Sequence, residues 1–274
     1  MWRLYVKGFW QEITLPSRGE LFGDGIFETI HVWRGKCLFL SDHLRRLREG
    51  AQVLSLQLPL SMEALEKELR SFCQAYENAR LKLVLYRAGE GTYTPLTSEA
   101  YLKVHIAPLP GSFSFPVARP QRLVIFPSGF TVFTPWSAYK TLSAVGYVQA
   151  AAYAKAQGCE EAIVLSAEGY LSETSRGNIF FWDGKALHTP SLRTGCVRGV
   201  FRMQVIQAAR QLGLPIEEGL YPVEKLAEAE EVFTTNVIQG LVPVIGMKGM
   251  SKTFRTGQGT IGEAIGGLLV DIIG

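Results

Sequence analysis

Lys140 stands alone in "WSAYKTLSAVGYVQAAAYAKAQG", a stretch of small and apolar residues in which the next basic side chain is Lys155. Desolvation disfavours an ammonium and lowers its pKa, so a lysine in such a setting can serve as a neutral nucleophile or base. The ordinary alternative is a lysine that buries its stem and keeps its head wet. The same segment offers a second chemistry. Ser137 and Lys140 match the S-x-x-K nucleophile pattern of serine acyltransferases, and "RTG" at 193–195 and 255–257 loosely echoes the K-T-G that accompanies it. No S-D-N completes that set.

Three further groups carry chemistry. Glu173 lies in "GYLSETSRGNIFF", where a strand breaks into a polar turn, so its carboxylate can face a pocket or simply be solvated. Gly195 and Gly199 in "GCVRGVFR" precede a helix, whose first N–H groups suit a phosphate. Arg45, Arg46 and Arg48 crowd "DHLRRLREG", and periodicity does not choose among them. "GDGIFE" lacks the third glycine of a dinucleotide fingerprint. An amine nucleophile, a carboxylate, a helix start and an arginine are together what pyridoxal phosphate requires. It needs a lysine for its aldehyde, an acid for its ring nitrogen and donors for its phosphate.

The elements that must position these groups are legible as periodicities. "GIFETIHVW" alternates as a strand, "RGK" turns it and "CLFL" returns. Ser41 or Asp42 is expected to cap a helix carrying Leu44, Leu47, Ala51 and Leu54, and a second helix covers about 61–78. "RLKLVLYR" and "AYLKVHIAPL" form a strand pair around "AGEGTYTPLTSE". The proline-rich stretch that follows supplies a linker at 113–121 between a small α+β domain (1–112) and a larger one (122–274). The second domain reads as the strand "RLVIF", a helix over 141–157, hairpins in "EAIVLSAEGYLSE" and "NIFFWDGKALHTP", a helix ending at Gly213, and strands "EEVFTTN" and "LVPVIGM". The fold class is α+β.

Bulk properties exclude other classes. The 274 residues are 47% hydrophobic and 19% charged, as for an ordered globular enzyme. A net charge of +3 does not suggest nucleic acid, and no apolar run is long enough to span a membrane. Cys37, Cys73, Cys159 and Cys196 are far apart, and the histidines form no HExxH, which argues against a disulfide framework and a metal site. A reduced, cytoplasmic protein is the expectation.

Taken in order, these blocks resemble the fold-type IV pyridoxal-phosphate enzymes, the class IV aminotransferases, over essentially the whole chain. "FGDGIFETIHVWRGKCLFLSDHLRRL" resembles the first block, which implies that Arg46 contacts the cofactor phosphate. "YKTLS" nominates Lys140 as the lysine that holds the cofactor. "EAIVLSAEGYLSETSRGNIFFW" nominates Glu173 as the pyridine partner, with Asn178 nearby. "GCVRGVFR" resembles the phosphate cup, with Gly199, Val200 and Phe201, and "VFTTNVIQGLVPV" the closing turn at Asn236 and Val237. The resemblance implies a homodimer with the cofactor between the domains. Val145 stands where branched-chain enzymes carry a tyrosine, and no Arg/His pair of the D-amino acid enzymes follows "LVLYR". "TTNVIQG" and "KTLS" look more like the 4-amino-4-deoxychorismate lyases, although Ser143 and His31 replace an asparagine and an arginine of that branch. The expected activity is therefore the lyase, with aminotransfer of branched-chain L-amino acids or D-amino acids as the alternative. Strand alternation places Phe27, Thr29 and His31 on one face as substrate contacts, and Arg87 is the candidate for a substrate carboxylate.

Overall fold

The structure is a computed structural model of the chain. It describes residues 2–6, 9–13, 17–111 and 119–273. A hairpin, β1 (Trp2–Val6) and β2 (Phe9–Ile13), comes first. Helix α1 (Arg18–Phe22) follows, opened by a capping box between Ser17 and Glu20. The first sheet is antiparallel in the order β4-β3-β5-β6, with β3 (Gly25–Trp33), β4 (Lys36–Cys37), β5 (Asn78–Arg87) and β6 (Ala100–Pro108). Helices α2 (Leu40–Val53) and α3 (Met62–Cys73) cover one face.

Period-two alternation decides which face that is. Ile26 and Ile30 of β3 and Leu81, Leu83 and Leu85 of β5 are buried with Leu44 and Leu47 of α2 and Leu65 and Leu69 of α3. The residues between them, Phe27, Thr29, Arg80 and Lys82, fall on the opposite face.

Two local expectations give way here. "CLFL" is not a strand: β4 stops at Cys37, and α2 begins at Leu40. Neither Ser41 nor Asp42 caps that helix. Its N-cap is Phe39, at φ 52° and without a side-chain cap bond. The Phe39 ring instead packs against Phe201, with centroids 6.0 Å apart. Tertiary packing of an aromatic ring thus replaces the usual capping hydroxyl. The cysteine expectation is also corrected. Cys37 and Cys73, 36 residues apart in sequence, form a disulfide bond because α3 ends beside β4. Cys159 and Cys196 are free and buried.

The second part is an eight-stranded sheet in the order β12-β11-β10-β13-β14-β7-β8-β9. Its strands are β7 (Gln121–Thr131), β8 (Glu161–Ser166), β9 (Leu171–Thr174), β10 (Asn178–Trp182), β11 (Leu187–Pro190), β12 (Ile216–Gly219), β13 (Glu231–Asn236) and β14 (Gly240–Met247). Helix α4 (Val145–Ala156) packs Ala150 and Ala154 against Val124 and Phe126. Helices α5 (Val200–Gln211) and α6 (Ile261–Ile273) share a core with Phe180 and Phe233, whose rings stack at 5.3 Å. In α6 the nearest atoms to a side chain built at Gly262 would be Leu241 at 3.4 Å and Phe233 at 3.6 Å, so the helix lies close on the sheet. The molecule is an α+β protein with separate cores under its two sheets. Of the expected linker at 113–121, residues up to 118 lie outside the described residues, and Gln121 already belongs to β7. Among the described residues no helix is long and apolar enough to cross a membrane.

Truncating Phe233 removes the stacked partner of Phe180 and the surface on which α6 rests. Phe233→Ala is expected to lower the unfolding free energy by about 3–5 kcal/mol, measured by urea denaturation. A loss below about 1 kcal/mol would mean that this core is not as closely packed as described.

Candidate active site

The open face of the first sheet and the second sheet enclose one cavity of about 960 Å³, large enough for a cofactor with its substrate. The chain entering α4 forms its seam. The Phe27 N–H donates to the Lys140 carbonyl at 2.8 Å, and the Leu142 N–H donates to the Gly25 carbonyl at 3.0 Å. These bonds tie the backbone of Lys140 to the edge of β3. The amine then stands 4.8 Å from the centroid of the Phe27 ring, while Lys82 approaches the same ring at 4.7 Å. Burial first, and then the positive charge of Arg46, lower the Lys140 pKa, against the opposing pull of Glu173 and Glu28.

Glu173 faces Lys140 from β9 and is buried. Its Oε1 accepts the Tyr147 hydroxyl at 2.6 Å and the Val197 N–H at 3.1 Å. Among the described residues its Oε2 has only the Asn178 amide, at 3.5 Å. Burial raises the Glu173 pKa, offset in part by the Tyr147 and Val197 bonds and by the charges of Lys140 and Arg202. Asn178 is held by donating to the Val197 carbonyl at 2.9 Å.

Of the three arginines of α2, Arg45 and Arg48 are exposed and Arg46 is buried. Arg46 grips Glu28 through Nε at 2.8 Å and Nη2 at 2.6 Å, and its Nη1 donates to the Arg198 carbonyl at 2.8 Å. His43, one turn earlier, donates from Nδ1 to Glu28 Oε2 at 2.7 Å. Burial would raise the Glu28 pKa, but the Arg46 charge and the hydrogen bonds from His43 and Arg46 hold it down to about 2. Gly199, the N-cap of α5, lies so close to Asn178 that an added Cβ would fall 2.1 Å from Oδ1. Gly199, Val200 and Phe201 bring a helix start with a glycine N-cap to the cavity, where first-turn N–H groups project out of the helix. Asn236 and Val237 line the same space, and Asn236 Oδ1 accepts the Ile238 and Gln239 N–H groups to fix their turn.

The cavity thus gathers Lys140, Glu173, Arg46, Asn178, Gly199, Val200, Phe201, Asn236, Val237, Phe27 and Thr29. Two expected substrate contacts are corrected. His31 is buried between the Val237 carbonyl (3.2 Å) and the Asn78 side chain (2.8 Å), away from the cavity lining. Arg87 donates to Asp24 at 3.0 Å and to the carbonyls of Leu54, Ser55 and Thr97, so it anchors loops on the far side of the strand end. The S-x-x-K reading is not supported either. Ser137 donates to the Thr134 carbonyl at 3.0 Å and accepts the Thr134 N–H, within its own turn.

The sequence reading missed several lining groups. His43, Thr235 and Arg202 line the cavity, and each carries a buried polar atom that has no hydrogen-bond partner among the described residues: Nε2, Oγ1 and Nε respectively. His43 and Arg46 share the i, i+3 helix face, a signal that was present in "DHLRR". Glu28 sits between Ile26 and Ile30 on the core face of β3, where a carboxylate demands a buried cation. Thr235 and Arg202 gave no such signal.

The family described as amino-transferase class IV matches residues 25–246. An aminodeoxychorismate lyase of Bacillus subtilis is 28% identical over 275 residues, covering 94% of this chain and 90% of its own. A D-alanine aminotransferase of Bacillus licheniformis is 24% identical over 250 residues, covering 87% and 84%. The crystal structure of a branched-chain aminotransferase from Thermoproteus uzoniensis with norvaline superposes with a TM-score of 0.84 at 25% identity, covering 99% of this chain and 94% of that one.

The Glu28 network gives a pH test. Folded, the carboxylate keeps its charge down to about pH 2, whereas in the unfolded chain it titrates near 4.5. The unfolded state therefore takes up the proton first, and the stability that Glu28 supplies above pH 4.5 is lost as the pH falls toward 2. Glu28→Gln is expected to cost about 3 kcal/mol in urea unfolding at neutral pH. The gap from the parent chain should shrink markedly by about pH 3. A gap independent of pH would show that the charge of Glu28 does not carry its contribution.

Proposed function

We propose, for a chain that belongs to the class IV aminotransferase family, a pyridoxal-phosphate lyase that converts 4-amino-4-deoxychorismate to 4-aminobenzoate and pyruvate. The cavity fits the cofactor on this chain's own evidence. The helix N-terminus at Gly199, where any side chain would collide with Asn178, opens on the cavity, and among the described residues the buried atoms Thr235 Oγ1 and Arg202 Nε have no hydrogen-bond partner at its wall. Gly199, Val200, Phe201, Asn236, Val237 and Arg46 would hold the phosphate, Glu173 the ring nitrogen and Lys140 the aldehyde carbon. When bound, pyridoxal phosphate supplies a protonated ring that accepts the electron pair left at a substrate carbon.

The protein's own residues do the remaining work. Lys140, its ammonium disfavoured by burial and by Arg46, supplies a neutral amine that takes a proton from one substrate atom and returns it to another. The stitched backbone of Lys140 confines that amine to the Phe27 side of the cavity. The Tyr147 and Val197 bonds favour the anion of Glu173, against the burial that raises its pKa, at the position where the ring nitrogen would need a counter-ion. Arg46 is itself oriented by Glu28 and His43, so its guanidinium is preorganised.

The observation that carries the lyase reading is the charge of the substrate side. Arg80, Lys82 and His105 line the cavity from the open face of the first sheet. Such a face suits a substrate with carboxylates at both ends better than it suits an aliphatic amino acid. The 28% identity to an aminodeoxychorismate lyase supports the same choice. Aminotransfer is the second reading, favoured by the aromatic wall of Phe27, Trp136 and Tyr139, which would accept an apolar side chain. A homodimer in the cytoplasm completes the proposal, through the family.

Incubation with 4-amino-4-deoxychorismate alone separates the readings. The chain is expected to release pyruvate and 4-aminobenzoate with no keto acid added, and Lys140→Ala is expected to lose at least about 1,000-fold in turnover. Formation of keto acid from D-alanine or a branched-chain L-amino acid, with no 4-aminobenzoate from the first substrate, would make the chain an aminotransferase.

A further inference from the structure

Val145 and Val148, in the first turn of α4, are 74% and 61% exposed. Tyr147, between them, turns inward to Glu173. We propose that Tyr147 is a positioning residue for Glu173, fixing one carboxylate oxygen so that the other faces the cavity. The inference rests on the reading of Glu173 as the ring-nitrogen partner.

The geometry divides the two oxygens of Glu173. Oε1 takes both strong donors, the Tyr147 hydroxyl at 2.6 Å from α4 and the Val197 N–H at 3.1 Å from the loop before α5. Oε2 has the long Asn178 contact of 3.5 Å. The last torsion of a glutamate is soft, so a carboxylate without such anchors rotates. Two donors from different elements remove that freedom and leave Oε2 to a ligand N–H. Tyr147 is a dependable donor because burial, reinforced by the Glu173 charge, keeps the phenol protonated well above its ordinary range.

The other groups facing Glu173 do not duplicate this role. Lys140 and Arg202 contribute positive charge from the seam and from α5. Cys196, whose pKa burial pushes up to about 12, is a neutral thiol. Asn178 on β10 addresses the other oxygen. Tyr147 is thus the side-chain donor that both orients Oε1 and favours the anion, since a hydrogen bond to the charged form stabilises it.

Tyr147→Phe keeps the ring and deletes the donor. The Glu173 carboxyl is titrated in the full-length chain by infrared difference spectroscopy, its band identified by its disappearance in Glu173→Gln. Loss of a donor to the anion should move the midpoint upward by about one pH unit, with the melting temperature little changed. Pyridoxal phosphate should bind the variant about 2- to 10-fold more weakly. Tyr153→Phe, on the same helix, should alter none of these readings. A midpoint that stays put or moves down in Tyr147→Phe overturns the role of Tyr147 alone. If Glu173→Gln binds the cofactor with an unaltered affinity and spectrum, the role of Glu173 falls, and the proposal with it.

Discussion

The ion pair between Glu28 and Arg46 is the constraint on which the site depends. Both side chains are buried, and neither charge survives there without the other. The pair joins β3 to α2, and the free arm of Arg46 then crosses to the Arg198 carbonyl, just ahead of α5. One guanidinium therefore ties the first sheet, its covering helix and the helix start at the cavity into a single unit. An ion pair between Arg198 and Glu49, and a bond from Gln204 to Asp42 at 2.8 Å, reinforce the same seam. The cavity is the space that these contacts hold open between two sheets with separate cores.

Within that space charge is arranged in opposition. Lys140 lies between a cation that discourages its proton, Arg46, and two carboxylates that encourage it, Glu173 and Glu28. Glu173 in turn balances burial against donors and the positive charges of Lys140 and Arg202. Such pairs of groups, pushed from their ordinary pKa values in a cleft, are the usual mark of acid–base work. Arg80 and Lys82, on the open face of the first sheet, add further positive charge to the cavity lining.

Much of this was legible in the residues. Alternation gave the bounds of β3 and the faces shared by its side chains and those of β5, although β5 begins two residues before the expected Arg80. The isolation of Lys140 among apolar residues marked the amine, and the glycines of "GCVRGVFR" marked the start of α5 at Val200. What escaped depended on distance in sequence. Arg87 had the composition of a substrate ligand, but its partners Asp24 and the Leu54 and Ser55 carbonyls come from other parts of the chain. His31 shares its strand face with Phe27, yet the turn at Val237 closes over it. Helix α2 begins on a packed phenylalanine instead of a polar cap, which no local propensity encodes. Cys37 and Cys73 meet only because α3 returns to β4.

The proposal for this cavity turns on Lys140 as the group that would bond the cofactor. Loading the full-length chain with pyridoxal phosphate, reducing with borohydride and mapping the labelled peptide by mass spectrometry tests it directly. A single stable adduct is expected on the peptide that contains Lys140, at one cofactor per chain. An adduct spread over surface lysines, or confined to a lysine outside the cavity, would contradict it.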